Sequence, residues 1–177
     1  MSIDIRQATF EALSELNVLI ARSARRLGAG YYTPEQIEGA LRSAFGVDTQ
    51  LIKDGTYYVV ESGNEIVACG GWSYRQTLFG SDARSDRDPS ELDPSIDAAK
   101  IRAFFVDPGH ARHGLGKLLL EHCEDRARAR GFTRFELMST RPGQPFYAAH
   151  GYEAGETVIY PLSDDLTIEF VPMSKGP

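Results

Sequence analysis

The chain has 177 residues, a net charge of −6, 42% hydrophobic and 25% charged residues, the composition of a folded globular chain rather than a disordered one. The length suits one domain over residues 1–177, and the acidic balance excludes a general nucleic-acid binder, which needs a basic face. No window approaches the roughly 20 apolar residues of a membrane span, and the opening MSIDIRQATFEALSEL reads as neither leader nor anchor.

Residues 2–8 alternate apolar and polar side chains, which predicts a short strand. Thr9 is the expected N-cap of a helix carrying Leu13, Leu16, Leu19 and Ile20 to about Arg26. Thr33, Pro34 and Gln36 form a capping-box signature for a second helix, with Ile37, Leu41 and Phe45 as its buried stripe. TYYVVE and EIVACGGWSYR, joined by Ser62-Gly63-Asn64, predict an antiparallel hairpin. Residues 80–97 are polar, acidic and hold two prolines, which predicts a loop insertion, read either as a solvated linker or as a flap over a site. AKIRAFFV predicts a buried strand over 99–106. Leu115, Leu119, Cys123 and Ala127 share one face of a helix that Gly131 caps. RFELMS is a further strand, PFYAAH a short helix, and ETVIY and LTIEFV are closing strands around a Pro161–Asp165 turn. The order is βααβββαβαββ. The unit at 99–139 requires a right-handed crossover between parallel strands, so the fold class is α/β, a mostly antiparallel mixed sheet with a central parallel pair.

Chemistry concentrates in FFVDPGHARHGLGKLLLEHCEDRARARG. A strand ends, a glycine-containing loop follows, and a helix begins at once. Free N–H groups of the first helical turn point at the loop, and the helix dipole adds partial positive charge. Gly114 and Gly116 let a ligand approach the backbone, and Arg112, His113 and Lys117 add cations. A diphosphate is the natural occupant. The spacing excludes a Walker loop, since Leu118 follows Lys117, and a dinucleotide fingerprint, since Leu119 stands at the third glycine position.

ARHGLG, Ala111 to Gly116, resembles the acyl-CoA loop [Q/R]xxGx[G/A] of the GCN5-related N-acetyltransferases, with Ala111 in place of the usual Gln or Arg. FYAAHGY, Phe146 to Tyr152, is similar to that family's second signature, and the element order matches over nearly the whole chain. The Asn often found after the fifth strand is absent; Thr140 and Arg141 are nearest.

The resemblance implies transfer of an acetyl group from acetyl-CoA, a co-substrate, to a primary amine of a small molecule or peptide. It implies that the fourth and fifth strands splay around the pantetheine arm. Phe104, Phe105 and Val106 would give it main-chain partners, and Arg112, His113, Gly114, Leu115, Gly116 and Lys117 would hold the diphosphate. Tyr147 would act as general acid to the leaving thiolate, with Phe146 and Tyr152 as packing residues. The fourth strand carries Lys100 and Arg102 where many members have a glutamate base. Glu136, the loop acids Asp88, Glu91 and Asp97, and a water relay are the alternatives, the relay being preferred. A non-catalytic acyl-CoA sensor or scaffold and an acyltransferase for another acyl-CoA remain open. Family members often pair through late strands, which implies a homodimer.

Other residues read as structural. His110, His113, His122 and His150 do not form a ligand set, so no metal is expected. Cys69 and Cys123 read as core thiols of a reducing, cytoplasmic protein. Trp72 and Tyr74 read as core packing. Tyr31 and Tyr32 lie between the first two helices, a segment that borders the acceptor in this family, as do residues 75–98 and 153–167.

Overall fold

The computed structural model describes residues 2–177. Strand β1 (Ile3–Gln7) runs antiparallel to β2 (Tyr57–Ser62), which forms a hairpin with β3 (Glu65–Ser73). β3 pairs antiparallel with β4 (Ala99–Val106), and β4 is parallel to β5 (Phe135–Ser139). β5 pairs with the long β8 (Leu166–Lys175), whose other edge carries β6 (Glu153–Ala154) and β7 (Val158–Ser163). The predicted mixed sheet with one parallel pair is therefore present, in the order β1-β2-β3-β4-β5-β8-β6.

Helices α1 (Leu13–Leu27) and α2 (Pro34–Leu41) cover one sheet face, and α4 (Leu115–Ala129) covers the other. Strand alternation sorts the core between them. Tyr57 and Val59 of β2 join Leu16, Leu19, Ile20 and Ile37. Tyr58 and Val60 join Leu119, Leu120, Cys123 and Trp72. Both cysteines are buried free thiols, and burial raises the thiol of Cys69 to about 12. The Thr33 capping box forms in both directions.

Four local expectations need correction. Thr9 makes no side-chain cap bond, because a 3₁₀ turn (Phe10–Ala12) precedes α1. α2 ends at Leu41, and Phe45 reaches the core through a turn in which its N–H donates to Ala40. A further helix, α3 (Thr49–Lys53), follows, capped by Asp48; at 5 residues it is too short to show a period. Pro161 lies inside β7 rather than in the closing turn. An outer strand tolerates a residue without an N–H, and the register slips beside it. The two-residue β6 was also not foreseen. The short helix α5 (Gln144–Ala149) falls where PFYAAH placed it.

Candidate acyl-CoA site

β4 and β5 pair only at Ala99↔Phe135 and Lys100↔Glu136. Beyond that step β4 continues to Val106 with β3 on one edge and no strand on the other, while β5 turns to β8. A V-shaped opening results, and Phe104, Phe105 and Val106 line its β4 side with an unpaired main-chain edge. The parting follows a bulge. β4 shifts register against β3 between Cys69 and Gly71, and Ala103 has φ 54°. Tyr57, buried in the first core, donates its hydroxyl proton to the Ala103 carbonyl at 2.8 Å. A side chain at Gly70 would lie 2.5 Å from the Phe104 ring, so glycine gives that ring its place. Neither Tyr57 nor Gly70 was legible as a site residue.

At the open end of β4, Asp107 anchors the loop. Its carboxylate caps the Gly109 N–H (3.2 Å), accepts from His110 Nδ1 (2.8 Å) and pairs with Arg22 of α1 (2.6 Å). Burial would raise this carboxyl, but the bonds from His110 and Arg22 outweigh it and hold it below the usual carboxylate range. Arg112 takes φ 63° and Gly114 φ 83°, which turns the chain into α4. Among the described residues, the backbone N–H groups of 112–117 have no hydrogen-bond acceptor; the first to find one is Leu118, on Gly114. A side chain built at Gly114 would meet nothing within 4 Å, so the unspent donors surround open space at the helix start. Arg112, His113 and Lys117 are exposed around it, whereas the Leu115 side chain is buried in the core and offers only its N–H. Gly116 has a second reason to be glycine: a side chain there would lie 3.1 Å from the Phe146 ring.

Tyr147 of α5 faces β4 across the opening, its ring 6.4 Å from Phe104, 5.0 Å from Phe146 and 5.8 Å from Tyr152. Its hydroxyl has no hydrogen-bond partner among the described residues. Burial, with Cys123 nearby adding to it, pushes this phenol well above the ordinary tyrosine value. Tyr152 packs in the core and donates to Glu124 at 2.7 Å.

Three of the four candidate carboxylate bases, Glu136, Asp88 and Asp97, are engaged elsewhere. Glu136 is ion-paired with Lys100 at 2.5 Å, at the last step before the strands part. Asp88 accepts from Ser90, and Asp97 from the Asp93 N–H, inside their own loop. That loop is held down by buried charge. Arg102, 2% exposed, pairs with Asp48 at 3.1 Å, and Arg87 reaches the same carboxylate at 2.6 Å. Beside it lies a cavity of about 370 Å³ whose lining includes Arg75, paired with Asp54, and Arg84, paired with Asp86. The four histidines stay apart: His110 on Asp107, His113 exposed, His122 against Tyr58, and His150 on the Phe146 carbonyl. No helix among the described residues is long and apolar enough to cross a membrane.

The same architecture recurs in solved structures. A GCN5-related N-acetyltransferase (aminotransferase, class-II) from Rhodopseudomonas palustris superposes with TM-score 0.73 at 16% identity, over 100% of this chain and 97% of that one. A PaiA N-acetyltransferase from Thermoplasma acidophilum in complex with coenzyme A gives 0.67 at 16%, over 100% of both chains. The ribosomal-protein-S18-alanine N-acetyltransferase of Escherichia coli gives 0.60 at 16%, over 99% of this chain and 94% of that one. No curated protein sequence matches. The family model described as "Acetyltransferase (GNAT) family" matches residues 30–152, which hold the parting strands, the donor-rich turn and the Tyr147 signature alike. The chain thus belongs to the GNAT acetyltransferase family.

Proposed function

We propose that the protein transfers the acetyl group of acetyl-CoA to a primary amine by direct attack in a ternary complex. The observation that carries this reading is the run of unspent N–H groups at 112–117, at the open end of the parting strands. Such a run suits a diphosphate, with Arg112, His113 and Lys117 adding charge at its rim. The unpaired edge at Phe104–Val106 then suits the amide-bearing pantetheine arm.

The chemistry follows from the neighbouring groups. The amine, with a pKa near 10, loses a proton to water before it attacks, since Glu136 is committed to Lys100. Its lone pair forms the C–N bond at the thioester carbon, and the carbonyl becomes an oxyanion that a main-chain N–H beside the bulge stabilises. Collapse breaks the C–S bond and expels a thiolate. Tyr147, kept protonated by its buried setting, donates a hydrogen bond and then its proton to that sulfur; solvent reprotonates the phenol. An acetyl-CoA thiol-release assay over amino acids, polyamines, aminoglycosides and peptides tests this. Release that depends on an amine and on Tyr147 supports it. Coenzyme binding without release for any amine rejects it in favour of a binding protein.

A further inference from the structure

We infer that Arg141 is a specificity-determining residue that selects acceptor amines carrying a carboxylate; this rests on the acetyltransferase reading above. Arg141 lies two positions past β5, in the turn that abuts Tyr147. Within this turn the Gly143 N–H donates to Thr140 Oγ1 at 3.1 Å, and a side chain at Gly143 would lie 3.6 Å from the Tyr147 ring. The Arg141 N–H donates to the Tyr32 hydroxyl at 2.8 Å, and that hydroxyl donates to the Glu169 carbonyl at 2.7 Å. Arg141 Nη1 donates to the Tyr31 carbonyl at 3.2 Å. The connection between α1 and α2, the end of β5 and β8 therefore meet at this residue, on the Tyr147 side of the opening.

Arg141 is one of several arginines, Arg26, Arg42, Arg126 and Arg134 among them, that have no carboxylate partner among the described residues, and its place in the turn that abuts Tyr147 sets it apart from these. Arg22, Arg75, Arg87 and Arg102 each face an aspartate. Arg141 is exposed and, among the described residues, pairs with no carboxylate, in a chain with 25 acidic residues against 19 basic ones. A guanidinium has five N–H donors in a planar fork, and one carbonyl uses a single donor. The remaining edge suits the two oxygens of a carboxylate. The backbone bond to Tyr32 fixes where the side chain starts, whatever residue stands there.

The test compares matched amines that differ only in a carboxylate: L-phenylalanine with 2-phenylethylamine, and L-lysine with 1,5-diaminopentane. The expected result is a kcat/KM at least tenfold higher for the carboxylate-bearing member of an accepted pair. Arg141→Ala, which keeps the Tyr32 bond, should erase that preference by raising the acceptor KM about tenfold, with the KM for acetyl-CoA unchanged. Arg141→Lys should recover part of it. Equal turnover of both members overturns the inference and leaves the acetyltransferase reading intact. A loss confined to the acetyl-CoA KM also overturns it, and assigns Arg141 to a coenzyme phosphate. Coenzyme binding with no amine acetylated overturns both.

Discussion

The Tyr57 hydroxyl and the Ala103 carbonyl, 46 positions apart in sequence, meet at 2.8 Å and hold β4 in its bulge. A non-glycine residue at positive φ costs roughly 1–3 kcal/mol and persists only where its surroundings enforce it. Here the enforcement comes from a tyrosine with no exposed surface. Tyr57→Phe should destabilise the protein by about 1 kcal/mol, the net contribution of a typical hydrogen bond, because the Ala103 acceptor is half-buried. It should also lower kcat more than it weakens coenzyme binding, because the bulge sets the carbonyl site and not the phosphate turn. Urea unfolding and steady-state kinetics on one preparation read both effects.

Gly114 offers a sharper separation of stability from binding. Its φ of 83° makes any side chain strained by about 1 kcal/mol, yet the space around it is open. Gly114→Glu should therefore fold and lose coenzyme affinity outright, since a carboxylate enters the proposed phosphate seat. Calorimetry giving wild-type affinity would remove the diphosphate from this turn.

For Tyr147, replacement by Phe keeps the ring stack with Phe104 and Phe146 and removes only the proton donor. We expect kcat to fall about 10–100-fold, the scale of positioned proton transfer, with a smaller change in the KM for acetyl-CoA. The phenol's pKa is displaced upward, so it stays protonated from pH 6 to 9 and the deficit should be constant over that range. A deficit that vanishes at either end would exclude the assigned role.

Asp107 links the loop to acid stability. Its folded-state carboxyl is depressed, so its contribution is fully present above the ordinary carboxylate pKa of about 3.9 and is lost as pH falls through the lower folded value. Asp107→Asn should flatten the acid limb of the stability curve and loosen the loop from Arg22. Denaturation midpoints between pH 3 and 7 check the first effect, and coenzyme affinity checks the second.

Asp48 sits between Arg102 and Arg87 with its side chain 5% exposed. Removing it strands a buried guanidinium, so Asp48→Ala should cost about 3–5 kcal/mol. The double variant with Arg102→Met should recover much of that loss, which a double-mutant cycle measures.

Local chemistry was readable in the sequence because short-range pattern carries it. The capping box at Thr33 and Gln36, the Gly114 turn into α4, and the strand before it depend on neighbours a few residues away. The pairing of Asp48 with Arg102 spans 54 positions and that of Tyr32 with Arg141 spans 109, so neither leaves a periodic trace. Pro161 shows the converse: a turn former by composition, it is admitted to a strand because nothing pairs with that edge. Lys100 and Arg102 were visible as departures on β4. Their partners Glu136 and Asp48 show that both serve the scaffold.

The ring of Phe146 resting on the bare α-carbon of Gly116 rivets α5 to α4 across the mouth of the crevice. A receptor whose jaws are already joined has little closing left to do. Stopped-flow traces of coenzyme capture should therefore show one concentration-dependent phase and no slow rearrangement behind it.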